Sequence, residues 1–359
     1  MQLARQTISG SSCRSRPHCV RAAACRIDCM RLAALVAVLL AATDAMALPK
    51  SLRAVLGGSG SAIMGEAAIV DAVCKLAGTE TPVVAYLGTA TYDFEKFREG
   101  QVKEFRRRGC EVVAVDVART APPAADVAAA LERCDAVLVS GGNTLFAVDR
   151  WTAQGVDAAL EKAMRRGAVL CGGSAGAICW FDGGHSDSMD PDWYADVMIA
   201  GGGAADPAYE VAPGEKPWPY VRCPCLGFLP GLACPHHDRT QSNGVLRAED
   251  FAGMLLRHPG EQGVCIDHFA ALVVDGEDYA VLALDGKPGT LVAGGTEPDF
   301  SGAGTPAIWL KSVEGGRVVA KAAPAAGKLA DILRKPTAVV DDARIARARE
   351  ENPSNVERP

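Results

Sequence analysis

From Ser51 onward, short apolar runs alternate with longer stretches whose apolar positions recur every three or four residues. SLRAVLGGSG at 51–60 predicts a strand that ends in glycines. IMGEAAIVDAVCKLAG at 63–78 has helical spacing and a stop at Gly78. PVVAYLG at 82–88 predicts a second strand. Residues 93–109 predict an amphipathic helix with Phe94, Phe97, Val102 and Phe105 along one side. A third strand (110–117), a helix (124–134) and a fourth strand (135–140) follow. Then come Gly141-Gly142-Asn143, a helical stretch from Thr144 to about Arg166, and a fifth strand at 168–172. Near-continuous apolar strands separated by helices imply a parallel sheet covered on both faces, and right-handed crossovers make it doubly wound.

Past residue 260 the period shortens. Residues 263–284 and 307–323 predict hairpins, with Asp275-Gly276 and Gly315-Gly316 as turns. The expected fold class is therefore α/β, a doubly wound, mostly parallel sheet with antiparallel strands near the C-terminus. Residues 325–359 are rich in charge and Pro and predict a surface helix and a disordered tail. No internal repeat is apparent.

The first 47 residues stand apart. They carry six Arg and two Asp, a net +4, so a total of −6 leaves −10 on the rest. An acidic body argues against nucleic acid as the main partner. Leu32 to Ala42 form an apolar run of 11, too short to span a bilayer, and Ala45-Met46-Ala47 fits a small-x-small cleavage pattern. Either Met30 starts a secretory signal, or the Arg/Ser-rich lead and the apolar run form a two-part organelle-targeting segment; a membrane-anchored N-terminus fits the short run less well. A secreted or organellar location is expected, with no stable membrane span after processing. Nine of the 13 cysteines lie beyond residue 47, an odd number with irregular spacing, which disfavours a full disulfide framework.

The chemistry concentrates after the fifth strand. Cys171-Gly172-Gly173-Ser174-Ala175-Gly176 has the G-x-S-x-G form of a strand-to-helix turn that raises a serine hydroxyl at the carboxyl end of a sheet. A phosphate-binding turn or a plain buried serine are the blander readings. Ser174 is the candidate nucleophile, with the Ala175 N–H as oxyanion donor. Gly142, ending the neighbouring strand, is the candidate second donor. Asn143 is a candidate substrate contact and a candidate helix N-cap, and both can hold at once. Of six histidines, His236 and His237 arrive together at the end of an apolar strand in LGFLPGLACPHHD (226–238), where strand alternation lets only one reach Ser174. His185 is expected to point away, His258 to cap a helix, and His268 lies between strand-like runs. Asp187 and Asp267 are the candidate acids to orient the imidazole.

Taken together, GGNTLF, GGSAGAICWF, SDS and LGFLPGLACPHHD followed by IDHFAAL resemble the S51 serine peptidases, which include the aspartyl dipeptidases (peptidase E) and, more distantly, the cyanophycinases. The resemblance covers about residues 51–320. It implies a class I glutamine-amidotransferase-like fold in which serine replaces cysteine, with one peptidase domain at 48–324 between the leader and a charged C-terminal segment. Carried over, Ser174 is the nucleophile, His236 the base, His237 fills a position usually aromatic, and Gly142 and Ala175 are the oxyanion donors. The third triad member falls on Asp187 or on Asp267. The resemblance implies a serine-type exopeptidase acting on short peptides, with no metal and no cofactor; cyanophycinase-like cleavage of β-linked aspartyl peptides is the alternative.

Selectivity for an N-terminal aspartate would need a cation, for which Arg239 and Arg222 are the candidates. Residues 180–222, with Trp180, Trp193, Trp218 and Tyr220, are long for a bare dipeptidase, and their insertion GGGAADPAYEVAPGEKPWPY (201–220) is expected to supply a lid. Three readings compete: a zinc site from Cys223, Cys225, Cys234, His236 and His237; an α/β esterase; and a non-catalytic binding domain. Short peptides are the expected partners, and a homodimer is compatible with the sequence.

Overall fold

The computed structural model describes residues 48–189, 220–241 and 243–351. The leader, residues 190–219 with Trp193, Trp218 and nearly all of the expected lid, and the last eight residues lie outside these.

The first half folds as its apolar pattern predicts. Strands β1 (Arg53–Gly57), β2 (Val84–Leu87), β3 (Val112–Ala114), β4 (Ala136–Val139) and β5 (Val169–Gly173) are parallel, in the order β1-β5-β4-β2-β3. Every residue of β2, β4 and β5 is buried, as a strand covered on both faces requires. The intervening helices are α1 (Ser61–Met64), α2 (Ala67–Ala77), α3 (Glu95–Arg107), α4 (Ala124–Arg133), α5 (Thr144–Gln154) and α6 (Val156–Arg166). The single helix predicted over 144–166 is two, because the chain turns at Gly155, φ 72°. Trp151 of α5 is fully buried and donates its indole N–H to Thr89 Oγ1 at 2.9 Å.

The second half departs from the single sheet expected. After α7 (Ala175–Ile178), strands β6 (Phe181–Ser186), β7 (Val221–Pro224), β8 (Leu229–Cys234) and β9 (Gly263–Ile266) start a separate sheet. Helix α8 (Arg247–Arg257) lies between β8 and β9 in sequence. The antiparallel hairpins then split. β10 (Ala270–Asp275) and β11 (Asp278–Ala283) extend the first sheet beyond β1, whereas β12 (Ile308–Glu314) and β13 (Arg317–Ala322) extend the second beyond β9. Among the described residues, and counting the edge strand β14 (Ala326–Lys328), the sheets have eight strands and six. The stretch predicted as one hairpin over 263–284 is thus β9 in one sheet and β10–β11 in the other. Two residues, Asp267 and His268, make most of the passage between them, and a pattern of apolar runs does not reveal a change of sheet.

The C-terminal segment is also more integrated than predicted. Ala326–Lys328 form β14 at the edge of the first sheet, paired with β11. Leu329, Ile332 and Leu333 are buried. The expected surface helix is α9 (Ala343–Glu351), anchored by buried Ile345 and by Arg349 on Asp149. Four buried apolar residues spaced among many charges, Leu329, Ile332, Leu333 and Ile345, suffice to dock residues 326–351. No helix among the described residues is long and apolar enough to cross a membrane.

Arg222 on β7 is spoken for. Its Nε and Nη2 donate to the two oxygens of Glu261 at 2.5 and 2.8 Å, with both side chains buried. It is therefore a structural ion pair and not the free cation considered for an acidic pocket. Removing one partner strands a buried charge. Glu261→Ala is expected to lower unfolding free energy by about 3–5 kcal/mol, while an Arg222→Met/Glu261→Leu pair is expected to recover most of that loss, as read by urea unfolding.

Candidate active site

Strands β1 and β5 are in register, Gly57 opposite Gly173. Beyond them the chain packs backbone against backbone. A Cβ on Gly173 would lie 1.7 Å from the Ser59 carbonyl oxygen, and one on Gly58 would lie 1.9 Å from that of Asp267. Only glycine permits these crossings. They bring three segments together. Ser174 N–H donates to Gly57 O at 3.2 Å, His236 N–H donates to Gly58 O at 2.8 Å, and Ser59 Oγ donates to His268 O at 2.7 Å.

Ser174 sits at the N-cap of α7 with φ 57° and ψ −123°, a conformation L-residues seldom adopt. The strained turn predicted from G-x-S-x-G is present. Ala175 opens the helix, so its N–H has no acceptor within it. Ser174 shares a cavity of about 70 Å³ with Gly142, Asn143 and Asp187. That is room for a carbonyl group or two waters, and not for a large side chain. Gly142 takes φ 118°, and no hydrogen bond occupies its N–H among the described residues.

Asn143 lines the cavity, but its amide is committed. Its Oδ1 accepts the Phe146 N–H at 3.0 Å as the N-cap of α5, and its Nδ2 donates to Ser188 O at 3.4 Å. The expected N-cap is thus made, by a side chain that also lines the cavity. Ser186 and Ser188 lock the SDS segment to the same helix start: Ser188 Oγ accepts the Leu145 N–H at 3.0 Å, and Ser186 Oγ donates to Thr144 Oγ1 at 3.1 Å. This holds Asp187 at the cavity wall.

The two histidines of the HH pair part company. His236, φ 51°, is partly buried, and its Nδ1 lies 2.9 Å from Nδ1 of His268. His237 is fully buried, and its Nδ1 lies 3.1 Å from Asp267 Oδ1. Asp267 Oδ2 meanwhile accepts the Thr290 N–H at 2.9 Å, Thr290 Oγ1 at 2.6 Å and the Ala307 N–H at 3.0 Å. Both oxygens are used, so the hydrogen bond expected between Asp267 and His236 is made to His237 instead. No hydrogen bond joins Asp187 or Ser174 to His236 among the described residues. The strand alternation applied to His236 and His237 applies equally to Asp267 and His268. It pairs 236 with 268 on one side and 237 with 267 on the other. His268, set aside in the sequence, was findable by that rule.

Burial, then the charges of Arg247, His268 and Arg239, hold the His236 imidazole well below its ordinary range. Burial and Arg239 push His268 down to about 4. Both rings are neutral at pH 7. Arg239 projects over the Phe269 ring, 5.2 Å from its centroid, with Nε 3.6 Å from Asp238 Oδ2. His185 lies buried on β6, stacked on Tyr220 and 3.3 Å from Asp250, and His258 is the C-cap of α8. Cys223, Cys234, His236 and His237 face different partners, and the described residues contain no His/Cys/Asp/Glu group arranged to hold a metal.

The sequence profile of peptidase family S51 matches residues 54–282. A Trypanosoma brucei brucei protein named G2/mitotic-specific cyclin-1 is 27% identical over 310 residues, covering 80% of this chain and 89% of that protein. The uncharacterized peptidase YgaJ of Bacillus subtilis strain 168 is 29% identical over 184 residues, 51% of this chain and 67% of that protein. Among solved structures, a peptidase from an acI-B1 Actinobacterium superposes with a TM-score of 0.50 at 14% identity, covering 77% of this chain and 96% of that one. That likeness is one of fold.

The strain at Ser174 is measurable. Ser174→Gly relieves the positive φ and Ser174→Ala does not, though both remove the hydroxyl. Ser174→Gly is expected to be the more stable of the two by about 1 kcal/mol in chemical unfolding.

Proposed function

The chain belongs to peptidase family S51, and on that premise we propose that it is a serine peptidase hydrolysing short peptides from their N-terminal end. Ser174 attacks the scissile carbonyl. His236 takes the hydroxyl proton on Nε2 and returns it to the leaving amine. The Gly142 and Ala175 N–H groups receive the oxyanion that forms in the small cavity. Asp187, on the same wall, supplies a negative charge for the free α-ammonium group of the peptide. Arg239 supplies a positive one for an acidic first side chain. Water then releases the acyl group by the same proton relay in reverse.

The observation that supports this most is the anchoring of Ser174 and His236 by the consecutive carbonyls of Gly57 and Gly58. Residues 62 apart in sequence are fixed on one backbone step, which is the preorganisation that a nucleophile and its base require.

Turnover of dipeptides with varied first residues, against an N-terminally blocked and a β-linked peptide, tests the reading. Free, acidic-first dipeptides are expected to be cleaved best and the blocked peptide hardly at all. Ser174→Ala and His236→Ala are each expected to lose at least about 10³-fold in kcat with the fold intact. Preferential cleavage of the blocked peptide, or full activity of Ser174→Ala, would refute it. The base must be neutral to work. Since His236 is held below its usual range, activity is lost only when pH falls through that lowered value. The acid limb of kcat/KM is therefore expected below the ordinary imidazole value of about 6.5, and a limb centred at 6.5 or above contradicts the assignment.

A further inference from the structure

We propose that His268 is the positioning residue for His236, a neutral imidazole standing where a Ser-His-Asp triad has a carboxylate. This rests on the reading of His236 as the base. The geometry is direct. The two Nδ1 atoms are 2.9 Å apart, so one carries a proton and the other accepts it. When His236 Nδ1–H donates to His268 Nδ1, the lone pair of His236 is left on Nε2, where a base needs it.

His268 is itself held. Its N–H donates to Asp238 Oδ1 at 2.6 Å, its carbonyl accepts Ser59 Oγ at 2.7 Å, and its ring meets Phe269 edge-on with centroids 4.6 Å apart. The acid that could compete, Asp267, has both oxygens engaged elsewhere. The charges around the pair are Arg239 and Asp238 on the loop after β8, Arg247 at the start of α8, Asp267 in the turn after β9, and Lys287 over the Phe269 ring. The guanidinium groups oppose a second positive charge here, which keeps the orienting ring neutral.

One proton moves in each half-reaction. In acylation it passes from Ser174 Oγ to His236 Nε2 and then to the leaving nitrogen; in deacylation it passes from water to Nε2 and back to Ser174 Oγ. The proton on His236 Nδ1 stays in place, and His268 accepts its hydrogen bond throughout. A neutral partner stabilises the transient imidazolium less than a carboxylate would, but it does not raise the pH at which the base protonates.

The test uses the full chain with His268→Ala, His268→Gln and His268→Glu. It reads kcat and KM on an aspartyl dipeptide, and the rate of covalent labelling by a fluorophosphonate, each across pH. His268→Ala is expected to lower kcat and labelling by about 10- to 10³-fold with KM within a fewfold. His268→Gln, which keeps an acceptor, is expected to recover part of that loss. His268→Glu is expected to move the acid limb up by at least about one pH unit. Rates and profiles within twofold of wild type for His268→Ala, Gln no better than Ala, or an unmoved limb in His268→Glu would each overturn the proposal. Should His268→Ala fail to fold, the Gln and Glu variants decide it. If Ser174→Ala or His236→Ala kept activity, the underlying peptidase reading would fall instead, so the two failures are distinguishable.

Discussion

Three consecutive residues at the end of β1 hold the candidate site together. Gly57 and Gly58 offer carbonyls to the N–H groups of Ser174 and His236, and the Ser59 hydroxyl ties down the carbonyl of His268. These bonds are possible only because the backbones meet without side chains between them. A single methyl at Gly58 or Gly173 would collide with a backbone oxygen and push apart the segments that carry Ser174, His236 and His268. The fold thus fixes the two backbones before any side-chain chemistry begins. β1 lies inside its sheet, paired with β10 on one side and β5 on the other, so the anchor follows directly from a strand held on both edges.

The passage from β9 to β10 sets what lies on each side of that anchor. Asp267 turns inward and gathers His237, Thr290, the Ala307 N–H and, through Thr290 Oγ1, the Trp309 indole at 2.7 Å. A buried carboxylate with four donors is satisfied, and it cross-links β9, β12 and the 290 loop. His268 turns the other way, toward His236. Adjacent residues thereby serve the core and the site separately. A side chain so heavily hydrogen-bonded cannot also swing to the neighbouring imidazole without leaving several buried donors unpaired.

Much of this was legible in the chain. The five parallel strands, the strained serine turn and the SDS and HH motifs follow from apolar runs, glycine placement and local spacing, all of which act over a few residues. What escaped was set by long-range pairing. Division of the C-terminal half between two sheets depends on which edge each hairpin finds, and an apolar run records burial without recording its partner. The docking of residues 326–351 rests on Leu329, Ile332, Leu333 and Ile345, too few to form a visible period. Asp267 was read as an orienter because acid and histidine types suggest a triad. The structure has two histidines and two partners in alternation, and alternation decides who meets whom.

The electrostatics of the site run against those of the body. Beyond residue 47 the chain carries a net −10, yet Arg239, Arg247 and Lys287 surround the histidine pair. They do not act alike. Arg247 is buried, donating to the His185 carbonyl and to Gln241 Oε1 at 3.2 Å, so its head group has no room for a ligand. Lys287 and Arg239 lie against the Phe269 ring. Arg239 Nε has no hydrogen-bond acceptor among the described residues, its closest carboxylate oxygen being 3.6 Å away. The positive charge of Arg247 and Arg239 adds to burial in holding the His236 imidazole below its ordinary range, so a chain with a net-acidic body keeps a locally cationic surrounding for this pair of rings.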